Sequence, residues 1–112
     1  MARNMSFAMT TEQFRQRTKT VTRRFGWRFL RPGDEVLGVE KAMGLKKGTK
    51  IQALGMIRIV STREEPLNDI TQEDVCREGF PDWGPERFIK MLVDHYRVDP
   101  TSKVNRIEFE YI

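Results

Sequence analysis

The sequence predicts a small α+β domain: a mostly antiparallel β-barrel of about five or six strands with two or three helices flanking it. Three observations predict it. A chain of 112 residues has the usual size of one domain and can bury a real, though not large, core. Several runs rich in β-branched and aromatic residues are interrupted by short helical patterns. The chain ends on an alternating segment, 103–112, suited to pairing back into the sheet, as small barrels do to remove an exposed edge. One domain is expected over 1–112, with residues 1–4 as a flexible start.

The elements follow in order. Residues 10–17 read as a short helix, capped by Thr10 or Thr11, with Glu12 near its positive end and arginines near its negative end. Residues 18–24 are rich in β-branched side chains and read as a strand. Pro32-Gly33-Asp34 is a turn, followed by a mostly apolar strand over 35–40. Residues 44–50 are a basic loop. A long strand over 51–62 alternates Met56, Arg58 and Val60 against Ile57, Ile59 and Ser61. A second helix opens near residue 69, where Thr71 and Asp74 match a capping pair. A third helix runs over 85–96, with Phe88, Met91, Leu92 and Tyr96 on its core face. In the last strand Asn105, Ile107, Phe109 and Tyr111 make the better core face.

Charge is distributed unevenly. The chain has 20 Lys and Arg against 16 Asp and Glu, yet residues 1–31 hold eight of the bases and one of the acids. Such polarity attracts polyanions, chiefly nucleic acid or phosphorylated small molecules, although a solvated basic face is the simpler reading of a charge cluster alone. The densest segment is Arg17-Thr18-Lys19-Thr20-Val21-Thr22-Arg23-Arg24-Phe25-Gly26-Trp27. Cations and hydroxyls side by side suit an anionic or amide-bearing ligand, and flanking aromatics suit a stacked base.

Other classes are excluded or unsupported. No apolar run approaches a membrane span, and the first residues lack the apolar core of a signal peptide. One cysteine, Cys76, fits a reducing compartment, so a cytoplasmic protein is expected. One Cys and one His cannot build a zinc site alone. No glycine-rich phosphate loop is present. No metal or cofactor is expected, and a monomer is the default expectation.

With these elements in place the chain resembles the ASCH domain family, a branch of the PUA-like β-barrels, over roughly residues 5–112. The resemblance is carried by Lys19-Thr20-Val21-Thr22-Arg23, by Pro32-Gly33-Asp34 with the apolar strand after it, and by the stretch from Leu67 through Ile70-Thr71-Gln72-Glu73-Asp74-Val75 to Glu78-Gly79-Phe80, with the closing Arg106-Ile107-Glu108-Phe109. It implies a cleft beside the barrel that accepts a nucleobase or an RNA segment. Many members are considered RNA-binding; some resemble amidohydrolases that remove an acyl group from acylated cytidine, and others are associated with RNA cleavage. The hydrolase members use a lysine, a threonine three residues later and a glutamate after the second helix, which match Lys19, Thr22 and Glu78. Members often carry glycine two residues before that lysine, where this chain has Arg17.

The leading expectation is therefore a nucleic-acid-binding module that takes RNA or a pyrimidine nucleoside in a basic cleft. The alternative is an amidohydrolase acting on acylated cytidine, with Thr22 as nucleophile, Lys19 as base and Glu78 orienting; a ribonuclease ranks below both. The expected ligand contacts are Arg17, Thr20, Arg23, Arg24 and Trp27, with Lys46, Lys47 and Lys50 extending a phosphate track. Two objections arise from the residues themselves. In a regular strand Lys19 and Thr22 point to opposite faces, so they converge only if Lys19 lies in the bend before the strand. A lysine base must also be neutral, and Glu78 beside it would oppose that.

Overall fold

A computed structural model describes residues 3–41, 48 and 50–112. In chain order the elements are β1 (Arg3–Ser6), α1 (Thr11–Arg15), β2 (Val21–Arg24), β3 (Glu35–Val39), β4 (Ala53–Pro66), a 3-10 turn (Leu67–Asp69), α2 (Gln72–Arg77), α3 (Pro85–Tyr96) and β5 (Lys103–Tyr111). The strands form one five-stranded sheet in the order β1-β3-β4-β5-β2, curled into a half-barrel. The class is α+β, as expected, but the sheet is mixed. β1 runs parallel to β3, and the other three pairings are antiparallel. The parallel pair arises because β1 reaches β3 only after the chain has crossed through α1 and β2, a connection long enough to reverse direction twice. Arg3 and Asn4, expected in a flexible start, lie in β1, and Met5 beside them is fully buried.

Two apolar clusters hold the sheet and the helices. The first joins Met5, Phe7, Phe14, Val36, Ile57, Ile59, Ile107 and Phe109 inside the curl. Phe14 brings α1 onto the sheet over Gly38, where a Cβ would stand 2.5 Å from its ring. The second joins Leu67, Ile70, Val75, Phe88, Leu92 and Val104, and seats α2 and α3 on the sheet's other side. β5 serves both clusters through its alternation. Ile107 and Phe109 face the first, as expected, while Val104 faces the second, so the strand's presumed outer face is covered by helices near its start. α3 begins with Pro85 in its first turn and buries Phe88 and Leu92. Tyr96, expected in the core, is 42% exposed.

Two helix ends set the local geometry that matters for function. α1 closes in a Schellman turn: Thr18 N–H donates to the Gln13 carbonyl and Arg17 N–H to the Phe14 carbonyl, both at 3.0 Å. The left-handed residue this turn requires is Arg17, with φ 59°, which is why glycine would suit the position. The Arg17 guanidinium lies over the Tyr111 ring, 5.4 Å from its centroid. α2 closes in the same way, with Phe80 N–H to the Val75 carbonyl at 3.1 Å and Gly79 N–H to the Cys76 carbonyl at 3.0 Å. Here the left-handed residue is Gly79, φ 102°.

The two ends abut: a Cβ on Gly79 would sit 2.5 Å from Gln13 Cγ. Gly79→Ala combines left-handed strain with this overlap and is expected to lower unfolding stability by about 2 kcal/mol. Urea denaturation measures it, and an unchanged midpoint would show that the two turns do not pack as described. No helix among the described residues is long and apolar enough to cross a membrane.

Candidate active site

The two abutting helix ends deliver Lys19 and Glu78 to each other. Thr20 N–H donates to the Arg77 carbonyl at 2.7 Å, pinning residues 18–20 to the end of α2 before β2 begins at Val21. Lys19 therefore sits in the bend ahead of the strand, and the objection from strand alternation is removed. Its ammonium donates to Glu78 Oε1 and, at 3.0 Å, to the Glu78 carbonyl. Tyr111 donates its hydroxyl proton to the Lys19 carbonyl and fixes the bend from the sheet side. Burial raises the Tyr111 phenol to about 12, against the lowering effect of Arg17, so it stays a donor at neutral pH.

Lys19, Thr22 and Glu78 are all buried and line one cavity of about 170 Å³. The cavity lies between the two edge strands of the half-barrel. Ser6 at the end of β1 and residues 7–10 after it form one wall; β2 contributes Thr22, Arg23 and Arg24; Glu78 and the last turns of α3, including His95 and Tyr96, complete it. Burial lowers the Lys19 ammonium from the ordinary lysine value, Glu78 pulls it back up, and Arg24 and Arg23 add to the lowering. The glutamate foreseen as an opposing influence and the cationic neighbours thus act on the same nitrogen. Thr22 Oγ1 accepts a hydrogen bond from Arg24 Nε at 3.0 Å, which leaves its own proton to donate.

Arg23 plays a different part from the one expected. Its side chain is 0% exposed and binds three carboxylates: Asp74 at 2.6 Å, Glu65 at 2.9 Å and Glu78 Oε2 at 3.2 Å. It is no phosphate-facing cation; it holds the second oxygen of the glutamate that holds Lys19. The cause lies in the sheet register. Arg23 stands opposite Arg106, which stands opposite Arg63 on β4, so three arginines form a row across three strands. Like charges in such a row repel. Acids compensate them: Asp74 takes Arg106 in a bidentate pair at 2.6 and 3.0 Å, and Glu65 takes Arg63 at 2.8 Å. Asp74 and Glu78 are four residues apart, so both leave the same face of α2.

The Thr71 cap is half realised. Its hydroxyl accepts from Asp74 N–H at 3.2 Å, but the Asp74 carboxylate turns to the arginines instead of back to Thr71. Hydrogen bonds from Arg106, against burial, hold Asp74 well below the usual carboxylate range.

The remaining expected contacts scatter. Arg24 lines the cavity, its guanidinium 4.9 Å from the Phe7 ring centroid. Trp27 lines a neighbouring groove instead. Arg17 is exposed on Tyr111 and Thr20 is used through its backbone, so neither lines the cavity. Lys50 is exposed, outside the cavity lining. Lys46 and Lys47 lie outside the described residues. Sequence reasoning missed Asp74, Glu65 and Arg106 as the support of Glu78, and His95 and Tyr96 as cavity wall. The i,i+4 carboxylates on α2 were the available signal for the first group.

The fold is similar to that of solved structures. Protein EF3133 from Enterococcus faecalis V583, of the family DUF984, matches with a TM-score of 0.68 at 16% identity, over 100% of this chain and 76% of that one. The hypothetical protein PH0355 matches with a TM-score of 0.68 at 18% identity, over 100% of both chains. Identities this low establish similarity of fold. No family model and no curated protein matches the sequence.

Proposed function

We propose that the chain is an ASCH-like, PUA-like domain whose cavity binds a pyrimidine nucleoside, and that Lys19, Thr22 and Glu78 hydrolyse the acyl amide of an acylated cytidine. The observation that carries this reading is the meeting of a buried lysine, a buried threonine and a buried glutamate in one small cavity. An open phosphate track would need its cations free, and Arg23 is consumed by carboxylates.

The chemistry follows from the groups. Neutral Lys19 accepts the Thr22 hydroxyl proton as Oγ attacks the acyl carbon. The bond from that carbon to the exocyclic nitrogen of cytosine breaks, and the ammonium returns the proton to the departing nitrogen. Cytidine leaves with a free amine and the acyl group is held as a threonine ester. Water, deprotonated by Lys19, then hydrolyses the ester, releasing the acid and restoring Thr22. Arg24 beside Oγ1 supports negative charge developing there. Glu78, held at both oxygens, keeps Lys19 aimed at the cavity.

The test is turnover of acetylcytidine by the purified protein, followed by release of cytidine. A base must be neutral to act, so the rate should rise with pH through the Lys19 pKa and level off below the free-lysine value of about 10.4. A rate that still climbs beyond that value would exclude Lys19 as the base.

A second reading, nucleic-acid binding without turnover, is carried by Arg24, which lines the cavity and has no carboxylate partner among the described residues. Tight binding of cytidine or RNA with no turnover would select it.

A further inference from the structure

The cavity does not end at Arg24. A second, shallower groove of about 450 Å³ begins there, and the two share Arg24 and Tyr96 as a common wall. The groove is lined further by Arg3, Phe25, Trp27 and Phe29. Its composition is unusual for a surface. It presents four aromatic side chains and two arginines, with no carboxylate among its lining residues.

The aromatic rings form two adjoining steps. Phe25 and Tyr96 lie 5.0 Å apart between centroids, and Trp27 and Phe29 lie 5.5 Å apart. The Arg3 guanidinium lies 4.7 Å from the Phe29 centroid. Neither Arg3 nor Arg24 forms an ion pair among the described residues, whereas the neighbouring Arg28 is paired with Glu64. Phe29, 54% exposed, adjoins the other three rings in one contiguous apolar surface edged by arginines, the kind of patch that marks a ligand groove.

The bend that builds this shelf is itself held in place. Trp27 has φ 65°, and the Asn105 side-chain amide donates to its carbonyl at 2.9 Å. A bulky residue in left-handed backbone persists where its surroundings fix it, and such positions cluster at ligand sites.

We propose that the groove is a second nucleotide subsite, so that a single-stranded segment of at least two nucleotides binds more tightly than the free nucleoside that the cavity alone accepts. One base enters the cavity beside Lys19 and Glu78. The linking phosphate meets Arg24 at the shared wall. The neighbouring base stacks on the Phe25–Trp27–Phe29 shelf under Arg3. Cations beside aromatic faces are the chemistry by which proteins hold single strands. A protein partner would meet the same rings but would gain nothing from a phosphate at Arg24. This inference rests on the cavity accepting a cytosine base, and not on hydrolysis.

The experiment compares equilibrium binding of cytidine with that of the dinucleotides CpU and UpC, on wild type and on Arg3→Ala/Phe29→Ala. Both substituted side chains are exposed, so the fold should survive, and circular dichroism checks that it does. In wild type the better dinucleotide should bind about tenfold tighter than cytidine, the scale of one stacked base. Its affinity should also fall more steeply with salt, by about 0.7 in log–log slope for one phosphate. The double variant should bring the affinity ratio close to one.

A wild-type ratio near one, with cytidine still bound, would overturn the second subsite and leave the cavity reading intact. A tenfold ratio that persists in the double variant would overturn it as well, by placing the second base elsewhere. If neither cytidine nor a dinucleotide binds, the cavity reading and the subsite fall together.

Discussion

Thr22→Ala and Lys19→Ala are each expected to lower acetylcytidine turnover by at least about a thousandfold. The double variant is expected to be little worse than either single one. A nucleophile and the base that deprotonates it act as a unit, so losing the second after the first removes little more. The two variants differ in their effect on structure. Thr22→Ala deletes a hydroxyl that accepts from Arg24 Nε and should leave the fold intact. Lys19→Ala leaves Glu78 facing Arg23 alone, still paired at 3.2 Å. Glu78→Gln adds a third test, because it removes the anion that raises the Lys19 pKa. The pH at which the rate levels off should then move downward. Turnover that survives Thr22→Ala while Lys19→Ala abolishes it would replace the covalent route with direct attack by water. Turnover unaffected by either substitution would remove this site from the reaction.

Much of this site was legible because its geometry is local. The helix ending before Lys19 and the opening of the helix that leads to Glu78 are written in short-range signals, whereas the strand read over 18–24 begins only at Val21, which is what frees Lys19 for the bend. The resemblance then joined three residues that no spacing rule connects. What the sequence hid depends on contacts between distant segments. Arg23 in a β-rich segment reads as a cation at a surface. Only the register that sets it opposite Arg106, and the docking of α2 that brings Asp74 and Glu78, turn it into a buried clamp. β1 was hidden for the same reason. Arg3-Asn4-Met5-Ser6 shows no alternation, and its strand character comes from parallel pairing with Val36 to Val39. Tyr96 has the spacing of a core residue on α3, yet it falls where the helix runs past the sheet and reaches the cavity mouth. The apolar period locates a helical face but not where along the helix the core ends.

Asp74→Asn is expected to lower unfolding stability by about 3–5 kcal/mol, the scale for removing one partner from a buried ion cluster. The expected cost is large because Asp74 serves two arginines at once, Arg106 through both oxygens and Arg23 through one. Without it, two guanidiniums stand opposite each other across adjacent strands with one fewer anion between them. The pH dependence gives a sharper check. The Asp74 pKa is lowered in the folded protein, so the unfolded chain binds the proton more readily. The contribution is therefore fully present above the unfolded value of about 3.9 and is lost as pH falls below it toward the depressed folded pKa. Urea denaturation of wild type and variant across this range should show a gap that is constant near neutrality and closes in acid. A gap independent of pH would assign the loss to altered packing and not to charge. The same cluster links stability to chemistry. Arg23 is the contact between Asp74 and Glu78, so loosening it should also loosen the carboxylate that aims Lys19. Asp74→Asn should accordingly reduce turnover in the folded protein although Asp74 touches no substrate. Its signature would be a shifted pH–rate profile, which a loss of folded protein alone cannot produce, since that scales the rate equally at every pH.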